Sequence, residues 1–460
     1  MSPANQRITV IGAGLAGPLL SLYLAKRGLA VDVYERRPDL RKTEISAGRS
    51  INLALSTRGI HALKDVRLHD EIMKIAIPMR GRMMHALDGE LTFQPYGKDE
   101  TEVIYSISRA ALNIALLNAA ERHHNVSLHF NERCIGMDLR TGEVHLHNEE
   151  RNTEFTIHPE CAIAADGSGS AIRTEMLKLS RFDFTQTHLE YGYKELTIPA
   201  GAAGEFRMEN HALHIWPRKT FMLIALPNID GSFTCIFFFP FEGDESFETL
   251  NTQEKIVNFF RTQFPDANTL MPQFLEEYSS NPTGSMITIH CFPWRVEGKA
   301  LLLGDAAHAI VPFFGQGMNC AFEDCTVLDD CIERLGSGWA NVFADFERIR
   351  KPNTDAIATL AIENFVEMRD RVANPKFLLR KKVELELERR FPNIFIPKYS
   401  MVSFHRIPYE VALSRGRVQE TILRELCSSI ESVDQVDWQK AEKLIGNELG
   451  RENIFGLASS

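Results

Sequence analysis

Ile8-Thr9-Val10-Ile11-Gly12-Ala13-Gly14-Leu15-Ala16-Gly17, with the apolar run Val31-Asp32-Val33-Tyr34 that ends on Glu35, decides how this chain folds. Ile8 to Ile11 reads as a short buried strand, and Gly12 to Gly17 matches G-x-G-x-x-G. An amphipathic helix follows and stops at Gly28, and Val31 to Tyr34 reads as a second strand. Gly12, Gly14 and Gly17 permit a tight turn, close approach of backbone to a pyrophosphate, and close packing of helix on strand. The helix start favours the anion, and Glu35 suits the ribose hydroxyls. Pro18 falls in the first helical turn, where its missing N–H has no partner to lose. The stretch from Ile8 to Ala25 is almost free of charge and follows Arg7, so it also resembles an export signal. The glycines, Pro18, and the strand and acid that follow argue against that reading.

A second stretch, Leu303-Gly304-Asp305-Ala306-Ala307-His308 running on to Pro312-Phe313-Phe314-Gly315-Gln316-Gly317-Met318-Asn319, supplies the other end of such a site. An apolar strand from Ala300 breaks at Gly304-Asp305, a Gly-rich turn follows, and a new helix starts near Gly317. A carboxylate at a strand tip binds a polyol, and a helix start stabilises an anion. FAD carries both, as a ribityl chain and an isoalloxazine that is anionic when reduced. Asp166-Gly167 ends a third apolar run, Ala162 to Ala165, ahead of a helix from Ser170; alone it is a turn, and beside the other two motifs it reads as a cofactor contact. Arg109, opening a helix after a strand, is either a surface charge or a flavin or phosphate contact. His308 reads as satisfying backbone groups in its turn rather than as a base. No second glycine fingerprint follows a strand, so a nicotinamide cofactor visits transiently.

At 460 residues with 44% apolar and 24% charged residues, the chain is long enough for two or three ordinary globular domains. A net charge of −10 argues against nucleic acid as a partner. The eight cysteines are scattered without C-x-x-C or metal-ligand spacing, which fits a reducing cytoplasm and no metal site. No late apolar run is long enough to span a bilayer. The pattern predicts an α/β protein: a Rossmann-type FAD-binding domain with an inserted antiparallel β-sheet substrate domain and a C-terminal helical segment. The FAD-binding domain takes 1–75, 101–181 and 291–374; the substrate domain takes 76–100 and 182–290; the helical region is 375–460. Strands are expected at Val103–Ile107, Val126–Phe130, around Gly136 and Val144, and at Tyr191–Thr197, Ala212–Pro217, Thr220–Pro227 and Ser232–Phe239. Helices are expected at about 57–68, 110–122 and 252–264, and an extended break at Ile396-Pro397-Lys398-Tyr399.

With three motifs in order, the chain resembles the class A flavoprotein aromatic hydroxylases of the para-hydroxybenzoate hydroxylase type. Longer motifs narrow the resemblance to the kynurenine 3-monooxygenase branch: Gly48 to Ser56, Met79-Arg80-Gly81-Arg82-Met83, Leu213-His214-Ile215-Trp216-Pro217-Arg218, Phe221 to Asn228, Val311 to Asn319, and Ile396 to Phe404. The resemblance implies FAD as cofactor and NADPH and molecular oxygen as co-substrates. It also implies hydroxylation of L-kynurenine to 3-hydroxy-L-kynurenine through a C4a-hydroperoxyflavin, a step of tryptophan degradation and pyridine nucleotide biosynthesis. It carries substrate contacts onto Arg82, Tyr96, Asn364 and Tyr399, a donor set suited to an amino-acid carboxylate. A ring pocket maps onto Ile224, Leu226, Phe238, Pro312, Phe313 and Met368. FAD contacts map onto Ala16, Tyr34, Glu35, Arg36, Arg37, Ala54, Arg109, Asp305, Met318 and Asn319. No side chain is assigned as acid, base or nucleophile, because the substrate's own amine activates the ring carbon. Animal and fungal relatives end in a hydrophobic membrane anchor; the ending Ile454-Phe455-Gly456-Leu457-Ala458-Ser459-Ser460 suggests a soluble form without one. Two alternatives stand beside this reading: a flavin hydroxylase or halogenase for another aromatic acid, and a non-enzyme like the prenyl-GTPase dissociation inhibitors. The Trp-x-Trp-x-Ile-Pro element of halogenases is absent, and a dissociation inhibitor has no need of Gly304-Asp305.

Overall fold

The computed structural model describes residues 7–42, 52–370 and 375–450. The first residues of the Gly48 to Ser56 motif and the ending from Ile454 lie outside the described residues. The chain forms two compact units: 1–76, 107–189 and 286–358 make the first, and 77–106, 190–285 and 359–460 make the second.

The first unit holds a six-stranded sheet in the order Arg295–Val296, Ala300–Leu302, Cys161–Ala164, Arg7–Ile11, Ala30–Glu35, Val126–Phe130. All neighbours are parallel except the first pair. Ile8, Val10 and Ile11, and Val31 and Val33, are nearly inaccessible. That is the burial expected of parallel strands covered on both faces. Beside it lies a three-stranded antiparallel meander, Glu132–Met137, Val144–Asn148 and Thr153–Ile157. The sequence suggests the first two of these strands. Thr153–Ile157 is almost wholly exposed, so no apolar alternation announces it.

The second unit contains the strand Asp183–Ile198 from residue 190 onward, then Phe233–Pro240, Phe221–Pro227, Ala212–Arg218, Gly81–His85 and Leu91–Pro95 as neighbours in that order. The pairs are antiparallel as expected, except that Ala212–Arg218 runs parallel to Gly81–His85. One face carries Trp216, Phe221, Phe237 and Phe239 against Phe260 of the helix Gln253–Gln263, Phe264 at the junction with the helix Pro265–Leu270, and Phe274 of the helix Phe274–Ser280. Only the first of those helices is expected from the sequence. Truncating one of these aromatics to Ala costs about 3–5 kcal/mol.

Three features depart from the sequence reading. The region 375–460 groups with the sheet unit instead of standing alone, and the boundary expected at 374 falls at 358, inside the helix Trp339–Asp370. Its helices Pro375–Arg390, Tyr409–Leu426 and Trp438–Glu448 close on a core of Val383, Leu387, Ile422 and Ile445. Tyr399 lies in a helix, Lys398–Ser403, because Pro397 caps that helix and does not prolong an extended break.

Candidate cofactor and substrate sites

The carboxyl ends of four adjacent parallel strands bring the first unit's motifs into one row. Gly304-Asp305 follows Ala300–Leu302, Asp166 follows Cys161–Ala164, Gly12 follows Arg7–Ile11, and Glu35 ends Ala30–Glu35. Ligands of open α/β sheets bind along this edge. Gly12 has φ +101°, and a Cβ there would sit 2.5 Å from the Ala165 carbonyl oxygen. A Cβ at Gly17 would collide with the Gly12 carbonyl, so the third glycine lets helix meet strand. A Cβ at Gly14 would meet nothing within 4 Å: this part of the loop faces open space. Asn113 holds the loop by donating to the carbonyls of Ala13 (3.1 Å) and Gly14 (2.8 Å). The helix Ala16–Lys26 that follows has no side-chain cap and no acid in its first turn. Its leading N–H groups therefore suit an external anion.

Glu35 accepts from Ala13 N at 2.8 Å and from Arg37 N and Nε at 3.0 and 2.8 Å. Burial pushes its pKa up, but these donors outweigh it and hold the carboxyl below its ordinary value. Oε1 takes both Arg37 bonds, so it is Oε2, with the single bond from Ala13, that keeps a lone pair for a hydroxyl. Tyr34 is buried and stacks on His129 with ring centroids 4.5 Å apart. Arg36, Arg37 and Arg109 are exposed, Arg109 as the first residue of the helix Arg109–Glu121.

Asp166 accepts from Ala171 N through Oδ2 at 2.8 Å, capping the helix Ala171–Met176, and burial raises its pKa. Its Oδ1 is buried without a hydrogen-bond partner among the described residues. Arg173 donates to the Ala306 carbonyl at 2.8 Å and to the Ser168 carbonyl, tying the Asp166-Gly167 turn to the Gly304-Asp305 turn. Sequence reading gives Arg173 no role. Asp305 is the one exposed residue between Leu301 and Ala309.

Behind that turn lies a buried ionic network. Asp324 Oδ2 accepts from Gly304 N at 3.0 Å and pairs with His308 Nε2 at 2.6 Å. Asp324 Oδ1 accepts from Arg350 Nε at 2.7 Å. Arg350 also reaches Glu323 at 2.6 Å, and Glu323 pairs with Arg58. His308 thus serves a carboxylate, not the backbone groups expected of it. Burial opposes its charge, but Asp324 outweighs burial and lifts its pKa to about 10. His308, Asp324 and the nearby Cys320 form a group with metal-ligand chemistry among the described residues. Arg350, whose Nη2 lies 3.3 Å from Cys320 Sγ, already places a cation there.

Asn319 clamps the strand Asn52–Leu55 to the helix Gly317–Leu335. Its amide donates to the carbonyls of Ala54 (2.8 Å) and Gly315 (2.9 Å), and its oxygen accepts from Ser56 N (2.9 Å). This helix also starts without a side-chain cap or an acid in its first turn, so Gly317 and Met318 sit at a second uncapped helix start.

In the second unit, three of the four residues expected to hold a carboxylate meet. The Tyr96 and Tyr399 rings stack at 5.2 Å and 8°, and the Arg82 guanidinium lies 5.4 and 5.1 Å from their centroids. Arg82 Nε is buried and lacks a hydrogen-bond partner among the described residues, and the buried Tyr96 hydroxyl has only Arg82 and Tyr399 beside it. Burial works against the Arg82 charge, yet the two phenols and Glu367 outweigh it and raise its pKa. Burial likewise raises the pKa of both tyrosines. Asn364 donates to Met368 Sδ at 3.4 Å on the helix Trp339–Asp370. Glu367, one turn from Asn364, is not singled out by the sequence. Strand alternation sets Ile224, Leu226 and Phe238 on the sheet face opposite the Phe221, Phe237 and Phe239 core. The register Ile215↔Ile224 and Leu213↔Arg82 places Arg82 on that same face. Pro312 and Phe313 belong to the first unit, in the short 3-10 turn Pro312–Phe314.

The sequence profile of the family described as "FAD binding domain" matches residues 5–354. The chain belongs to this FAD-binding class. A kynurenine 3-monooxygenase of Myxococcus xanthus is 52% identical over 450 residues, 98% of this chain and 97% of that protein. The kynurenine 3-monooxygenase of Dictyostelium discoideum is 44% identical over 461 residues, 97% of this chain and 99% of that protein. The chain belongs to the kynurenine 3-monooxygenase family. The fold is that of 2-methyl-3-hydroxypyridine-5-carboxylic acid oxygenase in its tetrameric form, with a TM-score of 0.65 and 19% identity over 83% of this chain and 97% of that one. Among the described residues no helix is long and apolar enough to cross a membrane.

Proposed function

We propose that this protein hydroxylates L-kynurenine at ring position 3, using FAD with NADPH and oxygen as co-substrates. The observation that carries the reading is the buried Arg82 guanidinium, its Nε without a hydrogen-bond partner, set against the stacked phenols of Tyr96 and Tyr399. A buried donor left open in this way invites an acceptor from a ligand. A substrate carboxylate accepts from Arg82 and gives it a counter-charge, with the Tyr96 phenol beside it. Asn364 and Tyr399 complete the amino-acid end. Ile224, Leu226, Phe238 and Met368 offer the ring apolar surroundings within the second unit.

The cofactor residues fit FAD on the first unit's own geometry: an open Gly14, an unpartnered Asp166 Oδ1, an exposed Asp305 and two uncapped helix starts. Gly12, Gly14, Ala16 and Gly17 hold the pyrophosphate, and Tyr34, Glu35, Arg36 and Arg37 hold the adenosine end. Asp166, Gly304 and Asp305 hold the ribityl hydroxyls. Ala54, Arg109, Gly317, Met318 and Asn319 surround the flavin ring, with backbone N–H groups at the helix start to stabilise negative charge. Bound FAD supplies the activation of oxygen and its transfer to the aromatic ring. The protein orients the ring and keeps water away from it. The eight cysteines are all free, which supports a reducing cytoplasm.

The test is identification of the product after L-kynurenine, NADPH and oxygen are mixed with the purified holoprotein. 3-Hydroxykynurenine is expected. NADPH oxidation stimulated by a different aromatic acid, with no product from kynurenine, would move the protein to another substrate within the same class.

A further inference from the structure

The motif Leu213-His214-Ile215-Trp216-Pro217-Arg218 has no part in the sites above, yet its three polar side chains converge on one residue, His85. His214 Nδ1 lies 2.8 Å from His85 Nε2. Trp216 stacks on the His85 ring at 4.0 Å and donates from its indole N–H to both oxygens of Asp266, at 3.0 and 2.9 Å. Arg218 donates to the His85 carbonyl at 3.1 Å. Asp266 in turn lies 2.7 Å from His85 Nδ1. Ring and backbone of His85 are both gripped, and the residue is 4% exposed.

The direction of the hydrogen bonds follows from the acceptors at the two ends. His214 Nε2 faces the Glu209 carbonyl at 2.7 Å and must donate to it. Burial lowers the His214 pKa to about 4, so its ring is neutral and its Nδ1 accepts from His85 Nε2. His85 Nδ1 faces a carboxylate oxygen. His85 is thus held at both ring nitrogens, by Asp266 on one side and His214 on the other. Partial burial raises the Asp266 pKa, but the bonds from His85 and Trp216 outweigh this and hold it at about 2.

His85 is the last residue of the strand Gly81–His85, which carries Arg82. Along a strand, residues three apart point to opposite faces. The His85 ring is locked on the Trp216 side of the sheet, and Arg82 is turned to the side of Tyr96 and Tyr399. We propose that His85, held by Asp266 and the His214-Trp216-Arg218 motif, is a positioning residue for the carboxylate subsite: it fixes the strand register that presents the Arg82 guanidinium to a substrate carboxylate. The inference rests on the reading that Arg82 binds that carboxylate. A slip of one residue would send Arg82 to the opposite face, so the register is the quantity to protect.

The experiment compares wild-type holoprotein with Asp266→Asn, His85→Gln and Arg82→Ala, using L-kynurenine and its decarboxylated amine, which keeps ring and ammonium but has no carboxylate. For Asp266→Asn and His85→Gln, the KM for L-kynurenine is expected to rise about tenfold or more with kcat within about twofold, while the inhibition constant of the amine stays within about twofold. A merely structural role would weaken both ligands together or change only stability. Trp216→Phe keeps the ring stack and loses one donor; it should show the same selective pattern more weakly, and it serves if those variants fail to fold. A rise in KM for Arg82→Ala with no rise for the other variants overturns this proposal alone. An unchanged affinity for L-kynurenine in Arg82→Ala overturns the carboxylate reading and this proposal with it.

Discussion

The two regions that carry chemistry are built from different parts of the chain. In the first unit the row along the sheet edge is mostly backbone: glycine loops, strand ends and two uncapped helix starts. Its side chains, Glu35, Asn319 and Asn113, are largely engaged in holding that backbone. In the second unit the candidate subsite is side chains alone, with Arg82, Tyr96 and Tyr399 in contact and Arg82 Nε left open. A backbone site fails when a side chain is added where none fits. A side-chain site fails when one is removed. The two regions should therefore respond to opposite kinds of substitution.

The largest effect is expected from adding one methyl group. Gly17→Ala places a Cβ against the Gly12 carbonyl and forces helix and strand apart. The expected result is protein without flavin and with a collapsed melting transition. Gly14→Ala sharpens the comparison, since its Cβ meets nothing within 4 Å. That variant should melt like the wild-type apoprotein but bind FAD less tightly, because the proposed pyrophosphate position is in that open space. Equal loss of fold in both variants would mean that Gly14 is structural too.

Asp305→Ala is the exception within the backbone site. Asp305 is exposed, while every neighbour from Leu301 to Ala309 is buried. Its removal should spare the fold and lose FAD, read as colourless, folded protein. A yellow, active variant would break the assignment. Arg82→Ala should do the reverse, retaining full flavin and weakening substrate binding by about 2–4 kcal/mol, since it leaves a carboxylate without its charged partner. Kinetics at saturating NADPH read this directly as KM for L-kynurenine, and an unchanged KM would refute it.

The same contrast explains what can be read from the sequence. Backbone sites need glycines and acids at fixed spacing on consecutive strands and helices, so Gly12 to Gly17, Glu35, Asp166 and Gly304-Asp305 announce themselves locally. Arg82, Tyr96 and Tyr399 are brought together by strand register and by a helix over 300 residues away, and no local pattern encodes that. They enter only through family resemblance. The His308–Asp324 pair and the Arg173 tie between two turns escape the sequence for a related reason: each joins segments through buried polar groups, whereas periodicity reports only apolar faces. The sequence puts Tyr399 in an extended break because Pro397 reads as a breaker, when it stands as the cap before a helix.

The smallest expected effect separates the two regions by how they treat buried charge. In the first unit Asp324 and Glu323 are met by His308, Arg350 and Arg58. In the second unit Glu388 is 2% exposed, and neither of its oxygens has a hydrogen-bond partner among the described residues. The cation paired with it there, Lys98 Nζ, stands 3.8 Å away. Burial, and then Glu102 beside it, push the Glu388 pKa up to about 7. A carboxyl whose folded value lies above its unfolded value of 4.5 contributes stability that is complete below about pH 4.5 and is lost as pH rises through 7. Above that point the fold carries an ionised, poorly solvated carboxylate. Glu388→Gln removes the penalty and keeps the shape. It should stabilise the protein by about 1–2 kcal/mol near pH 8, less than the full shift implies because Lys98 loses its partner, and by about nothing near pH 4. Urea melts at the two pH values measure the difference. A gain of equal size at both would show that the Glu388→Gln change acts through packing, and no gain near pH 8 would mean that Lys98 already neutralises Glu388 as fully as the arginines neutralise Glu323.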